Sequence, residues 1–295
     1  MTETGTVPFV VDGDEHATWY RVDGDLASGV PPLVVLHGGP GAHHDYLLPQ
    51  MLALAGEYEL VFYDQRGGGR SKTDDRAPIT WETHVGDLEL VVAELGLQPL
   101  SLVGYSWGGL LAMLYAIEAA AHRVSPMARR LVLIDPAPVT REYRQRFEQE
   151  FARRQASADV ARLRTELAAS DLRTRDPEAY RQRAFELSVA GYFADPAASH
   201  DLTPFRVTGR VQQSVWDSLE SYNLLRPGAL DTVHVPTLIV HGRQDPIPIA
   251  SSEAAAQALG AGFVAIDGAG HVPYVEQPGA LFAAIRDFLT RTAAP

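Results

Sequence analysis

Leu100-Ser101-Leu102-Val103 runs into Gly104-Tyr105-Ser106-Trp107-Gly108 and on into Leu110-Leu111-Ala112-Met113-Leu114, and the reading of that stretch decides the fold. An apolar strand, a sharp turn and a helix-forming run put Ser106 at the apex of the turn, the arrangement of a nucleophile elbow. The turn is so tight that the residues two before and two after the serine must approach neighbouring backbone, which glycine permits because it lacks a Cβ. The bare pattern G-x-S-x-G is weak, and its weight comes from its flanks and from what lies elsewhere in the chain.

Downstream, the apolar strand Thr237-Leu238-Ile239-Val240 leads into His241-Gly242-Arg243-Gln244-Asp245-Pro246, and Phe263-Val264-Ala265-Ile266 leads into Gly268-Ala269-Gly270-His271-Val272-Pro273. Ser106, Asp245 and His271 thus stand on strand-end loops in the chain order Ser, Asp, His. The expected roles are His271 as general base toward Ser106 and then acid toward the leaving group, with Asp245 fixing the imidazole tautomer. Singly, Asp245 reads as a turn residue before proline and His271 as a buried loop histidine; the joint order argues otherwise. Upstream, Leu33-Val34-Val35-Leu36 enters His37-Gly38-Gly39-Pro40-Gly41, where glycines let a backbone N–H face a developing oxyanion. The N–H of Trp107, next after the serine, is the expected second donor. His37 reads as a structural residue that orients this loop.

With Tyr63-Asp64-Gln65-Arg66-Gly67-Gly68-Gly69-Arg70-Ser71 and the continuation Ala42-His43-His44-Asp45-Tyr46-Leu47, these pieces closely resemble the proline iminopeptidase family of serine peptidases within the α/β-hydrolase superfamily. The likeness covers about residues 30–137 and 235 to the end. It implies hydrolysis of a peptide or related amide with a free N-terminal residue, often proline, with Ser106, Asp245 and His271 as triad and Gly39 and Trp107 as oxyanion donors. Family aminopeptidases hold the substrate ammonium with acidic side chains from the cap and, in some, an acid beside the triad aspartate, where this chain has Pro246. In Trp216-Asp217-Ser218-Leu219-Glu220-Ser221-Tyr222, Glu220 is the expected ammonium anchor ahead of Asp217, with Trp216 and Tyr222 as pocket aromatics. Tyr192, Phe193 and Phe205 read as pocket or lid core.

Alternating strand and helix units predict an α/β fold, a mostly parallel sheet flanked by helices with ligands at the carboxyl ends of its strands. Residues 1–138 and 233–295 form the expected catalytic domain and residues 139–232 an inserted helical cap. The leading strands are Phe9-Val10-Val11 and Ala17–Val22, a hairpin, followed by Glu59–Tyr63. Helices are expected over residues 81–95, 107–121, 251–259 and 280–290, and in the cap over 141–169, 177–189 and 209–222. The cap pairs Glu142/Arg146, Arg144/Glu148, Glu150/Arg154 and Arg162/Glu166 at i,i+4 spacing read as solvated faces.

The 295 residues suffice for such a domain, and the net charge of −12 lies wholly outside residues 139–232, where 14 arginines meet 14 acids. An acidic catalytic domain repels nucleic acid and mildly favours cationic substrates. The chain has no cysteine, which excludes disulfides, cysteine nucleophiles and thiolate metal sites. Met1–Thr6 lacks a basic start and an apolar core, and no stretch is long enough to span a bilayer, so a cytoplasmic location without membrane partners is expected. Gly67–Thr73 fails as a phosphate loop, because Ser71 precedes Lys72 and Arg66 stands where the first glycine belongs. His43, His44 and Asp45 lack a further ligand cluster, so neither metal nor cofactor is expected.

The expected partners are small peptides, amino-acid amides or esters. The same machinery on esters, lactones or non-peptide amides is the alternative, because the cap decides the acyl group. A noncatalytic binding protein of this fold is the alternative of another class. An ascending pH limb near neutrality is expected as the imidazole loses its proton.

Overall fold

A computed structural model describes residues 1–11, 14–74 and 78–292. Its strands are β1 (Thr2–Val11), β2 (Asp14–Asp23), β3 (Pro32–Leu36), β4 (Glu59–Tyr63), β5 (Ser101–Tyr105), β6 (Arg130–Ile134), β7 (Thr237–Gly242) and β8 (Gly262–Ile266). They form one sheet in the order β1-β2-β4-β3-β5-β6-β7-β8. The leading hairpin is antiparallel and joins β4 antiparallel, whereas β4, β3, β5, β6, β7 and β8 pair in parallel.

Every residue of β3, β5, β6 and β7 is buried. Their unbroken Leu, Val and Ile runs are what a strand covered on both faces requires. β8, at the sheet edge, keeps only Ile266 buried. Helices α1 (Trp81–Glu94), α2 (Trp107–Ala120), α7 (Ile249–Leu259) and α8 (Pro278–Arg291) cover the faces, and one apolar cluster packs on each side, around Leu110 and Val91 on one and Phe62 and Ile285 on the other. This is the α/β-hydrolase fold.

Between β6 and β7 the chain makes a helical excursion through α3 (Arg141–Gln155), α4 (Ala158–Ala169), α5 (Pro177–Val189) and α6 (Gly209–Ser218). The single helix expected over 141–169 is two. Ser157 is extended at φ −62° and ψ 155°, and its side chain accepts the Val160 N–H as an N-cap, so a new helix starts where the charge pattern alone would continue the old one. The helix expected over 209–222 stops at Ser218, after which the Leu219, Glu220 and Tyr222 N–H groups bond to carbonyls three residues back. Arg144–Glu148, Glu150–Arg154 and Arg162–Glu166 form their ion pairs. Among the described residues no helix is long and apolar enough to cross a membrane.

A buried ion pair braces the loop after β4. Arg66 Nε donates to Asp87 Oδ2 on α1 at 2.8 Å, and the guanidinium lies 4.0 Å over the Phe9 ring of β1. Replacing Asp87 with Ala strands a charge in the interior, so chemical denaturation of that variant is expected to show a loss of about 3–5 kcal/mol. A loss within the noise of the measurement would mean the pair is dispensable.

Candidate active site

Ser106 follows β5 and opens α2 with φ 53° and ψ −117°, outside the usual regions for an L-residue. The chain around it over-determines this conformation. The Ser106 N–H donates to Ile134 O at 2.9 Å, and its carbonyl accepts from Gly109 and Ala137, also at 2.9 Å. The flanking glycines are sterically required: a Cβ on Gly104 would lie 2.4 Å from Gly108 O, and one on Gly108 would lie 2.1 Å from Leu36 O. The elbow is therefore clamped against β3 as well as β6, and the serine side chain is lifted to the carboxyl ends of the strands.

There it meets two residues delivered by the loops after β7 and β8. His271 Nε2 is 2.9 Å from Ser106 Oγ and His271 Nδ1 is 2.8 Å from Asp245 Oδ2. Asp245 Oδ1 accepts the Ile247 N–H at 2.7 Å, which fixes the carboxylate edge-on to the imidazole. The His271 N–H donates to Tyr192 O at 2.7 Å, and the Tyr192 ring stacks on the imidazole with centroids 5.0 Å apart. Burial disfavours charge on both groups, pushing His271 down to about 4 and Asp245 up to about 7. Nearby Glu276 accepts the Ala194 and Gly270 N–H groups and so ties the histidine loop to the inserted helices.

Gly39 (φ +59°) and Trp107 face Ser106. Among the described residues neither backbone N–H has a hydrogen-bond partner within the protein, whereas the Gly38 N–H is taken by Tyr46 Oη at 2.7 Å. The loop owes its shape to His37 and Gln65. His37 Nε2 accepts the Gln65 N–H at 3.1 Å, so its Nδ1–H donates to Gly38 O; Gln65 Nε2 donates to His37 O at 2.9 Å and its Oε1 accepts from Trp107 Nε1 at 2.7 Å. His37 is thus a loop-holder, as its sequence setting suggests.

Two chambers meet at Ser106 and share Gly39, Tyr192, Gln212 and His271. The smaller, about 230 Å³, is lined by Phe147 and Trp216 and by the charged pair Arg144 and Glu148. The larger, about 310 Å³, is walled by Tyr46, Tyr105, Phe185, Leu202, Phe205 and Tyr274. An outer cleft of about 400 Å³ holds Glu220 and Tyr222 and touches the smaller chamber only through Arg144, Glu148 and Trp216.

The expected ammonium anchor lies outside both chambers. Glu220 lies beyond the end of α6, lines the outer cleft only, and its carbonyl accepts from Arg141; Tyr222 also lies there, with its hydroxyl donating to Pro138 O at 2.8 Å. Asp217 is engaged by Gln213. Of the expected binding residues, only Trp216 reaches the chamber with Ser106. The carboxylate that enters it is Glu148, whose i,i+4 partner Arg144 bonds it at 2.8 Å and lies 4.1 Å over the Trp216 ring. The pair read from spacing as a solvated face is indeed half-buried to exposed, and it also borders the chamber.

A family model described as alpha/beta hydrolase family matches residues 33–285. The chain belongs to that family. Among curated relatives this hydrolase is 27% identical over 291 residues to a proline iminopeptidase of Lactobacillus helveticus, covering 97% of each chain. It is 44% identical over 108 residues to that of Levilactobacillus brevis, 35% of each chain. Among solved structures it resembles VinJ at 28% identity and TM-score 0.66, covering 98% and 99% of the two chains. The proline iminopeptidase of Mycobacterium smegmatis, at 23% identity and TM-score 0.69 over 98% of each chain, shares the fold. The resemblance to proline iminopeptidases read from the motifs is thus borne out.

Several histidines of this hydrolase are buried and held neutral. Burial pushes His37 and His241 down to about 4 and His84 to about 3. The unfolded chain protonates each near pH 6.5, roughly the ordinary imidazole value. Below that pH the unfolded state binds more protons than the folded one, so stability falls as pH drops. The three histidines are expected to lower the melting temperature as pH falls from about 6.5 toward 4, offset in part by Asp245, whose folded carboxyl is held up to about 7; a melting temperature that rises across that window would contradict the neutral assignment.

Proposed function

We propose that this hydrolase cleaves amide or peptide bonds by two-step acyl transfer and releases an N-terminal residue in the manner of proline iminopeptidases. The observation that carries the reading is the unbroken hydrogen-bonded line from Asp245 through His271 to Ser106. Ser106 Oγ attacks the carbonyl as His271 takes its proton, the N–H groups of Gly39 and Trp107 receive the oxyanion, and His271 returns the proton to the leaving amine. Water then enters with His271 as base and frees Ser106. Each oxyanion donor is worth about 3 kcal/mol of transition-state stabilisation in such sites. In this reading residues 1–138 and 233–295 supply the chemistry and residues 139–232 the specificity.

Support for an aminopeptidase comes from Glu148, a carboxylate within the same chamber as the serine. Its pairing with Arg144 favours a second reading, hydrolysis of esters, lactones or non-peptide amides, because a compensated carboxylate attracts an ammonium less strongly. Prolyl-2-naphthylamide, its N-acetylated form and a short acyl nitrophenyl ester separate the two. The expected order is rapid turnover of the free-amine amide and poor turnover of its acetylated form; turnover of the ester alone would establish the second reading.

Replacing Ser106 or His271 with Ala is expected to cut kcat by about 10⁴-fold or more with thermal unfolding unchanged. Failure of a fluorophosphonate to label Ser106 in folded protein would remove the acyl-enzyme. Because burial lowers His271 to about 4 and raises its partner Asp245 to about 7, the ascending limb of kcat/KM is expected to report the coupled pair and to lie between those values.

A further inference from the structure

Asp135 stands immediately after β6, beside the proposed triad, and takes no part in the steps above. Its backbone is left-handed at φ 40°, a conformation that costs an L-residue about 1 kcal/mol or more. The Asp135 N–H donates to Val240 O at 2.8 Å, so β7 dictates where the side chain points. That side chain is fully buried. Its Oδ1 accepts the Gly242 N–H at 2.7 Å, while Oδ2, also buried, has no partner that donates to it.

Beside this carboxyl stands a second acid, Asp245. One carboxylate oxygen of Asp135, one of Asp245 and a ring nitrogen of His241 lie within 4.8 Å of one another. Two carboxylates in contact inside a protein cannot both ionise unless a cation sits between them. None does. His241 Nε2–H donates to Ile247 O at 3.2 Å, Nδ1 lies 3.0 Å from the Ser252 hydroxyl and 3.6 Å from Asp135 Oδ1, and burial holds the imidazole down to about 4, so at neutral pH its ring is uncharged. The other titratable groups around the pair are His271, already bonded to Asp245; Glu276, an acid; Tyr105 and Tyr274, neutral phenols. Arg154 acts on Asp245 from α3, with its guanidinium donating to Gln244 O.

We propose that Asp135 is a protonated positioning residue, whose Oδ2–H donates to the Asp245 carboxylate and holds it in the rotamer that faces His271. The proposal rests on the acyl-transfer reading of Ser106. Asp245 then receives donors from Ile247, His271 and Asp135, and the site carries a single negative charge. When Ser106 gives its proton to His271 Nε2, the imidazolium meets that one fixed charge. The Asp135 proton stays where it is throughout, because the hydrogen bond it makes lowers the basicity of Asp245 and keeps the His271 Nδ1 proton on the ring.

Asp135→Asn tests this without emptying the site: its amide Nδ2–H replaces the O–H donor, and its Oδ1 still accepts from Gly242. Its kcat/KM is expected within about threefold of the parent, with the ascending pH limb unmoved, since one neutral group replaces another. Asp135→Ala, lacking the donor, is expected to lose about 10–100-fold in kcat and to move the limb to higher pH, because an unshielded Asp245 binds the imidazolium more tightly. An ionised Asp135 has the opposite signature, since either substitution would then delete a negative charge and move the limb to lower pH; that outcome overturns the proposal. Infrared difference spectra at neutral pH, recorded on Ser106→Ala protein with and without Asp135→Asn, read the proton independently of activity. Loss of a protonated-carboxyl carbonyl stretch on Asp135→Asn is expected, and its absence from the parent overturns the assignment. Activity surviving in Ser106→Ala would defeat the acyl-transfer reading while leaving the infrared result to decide the proton.

Discussion

The left-handed backbone of Ser106 is the constraint on which the rest depends. A residue in that conformation holds only if its surroundings leave no alternative, and here they do so through contacts that are sequence-local in origin and global in effect. Gly108 lets α2 approach Leu36 O at a distance no Cβ could tolerate, and the carbonyl of Ser106 gathers N–H groups from α2 and from the segment leaving β6. The elbow therefore registers β3, β5 and β6 with respect to one another at their carboxyl ends. The loop after β3, which carries Gly39, is placed relative to Trp107 by the same contact that makes the turn possible.

The Asp64-Gln65-Arg66-Gly67 run belongs to this scaffolding, and none of its members touches the serine. Gln65 bonds both the loop that holds Gly39 and the indole of Trp107, joining the segments that carry the two free N–H groups. Arg66 anchors to α1 through Asp87, and Asp64 accepts from His44 at 2.7 Å and from the Arg70 N–H at 2.8 Å. A motif so particular would invite a chemical reading on sight. Its contacts hold the segments that carry two unpartnered backbone N–H groups, the preorganisation that the proposed oxyanion role would require.

What could be read from the chain divides along the same line. The strand–turn–helix at Ser106 and the loops bearing Asp245 and His271 were legible because each is announced by a short apolar strand and a glycine turn, and because parallel strands deliver such loops to one edge. The acid that borders the chamber with Ser106 was not legible. Glu220 and Glu148 look alike in the sequence, and which one faces the serine depends on how α3 lies across the sheet and where α6 stops. Spacing reveals that Arg144 and Glu148 share a helix face, but it cannot say what that face opposes. The break at Ser157 was missed for a related reason, since a serine amid helix formers declares itself as a cap only once the chain bends there. Asp135 in Leu131-Val132-Leu133-Ile134-Asp135 looks like a strand terminator, and only the pairing of β6 with β7 brings its carboxyl to Asp245.

The inserted helices are more than a specificity module resting on finished machinery. Tyr192, between α5 and α6, supplies the carbonyl that accepts the His271 N–H and the ring that stacks on its imidazole, and Glu276 spans from the histidine loop to Ala194. Moving the 190–194 turn away from the sheet would strip the base of a backbone acceptor and of its stacking partner together, and would wet a histidine whose neutrality depends on burial. Access to Ser106 has to leave that turn in place. The polar side of the site is built differently, since Arg144, Glu148 and Trp216 border the outer cleft through exposed or half-buried side chains with few ties to the sheet. In the proposed reading, substrate passage along that side would disturb nothing that positions His271, and the site would be rigid where the proton moves and open where the substrate passes.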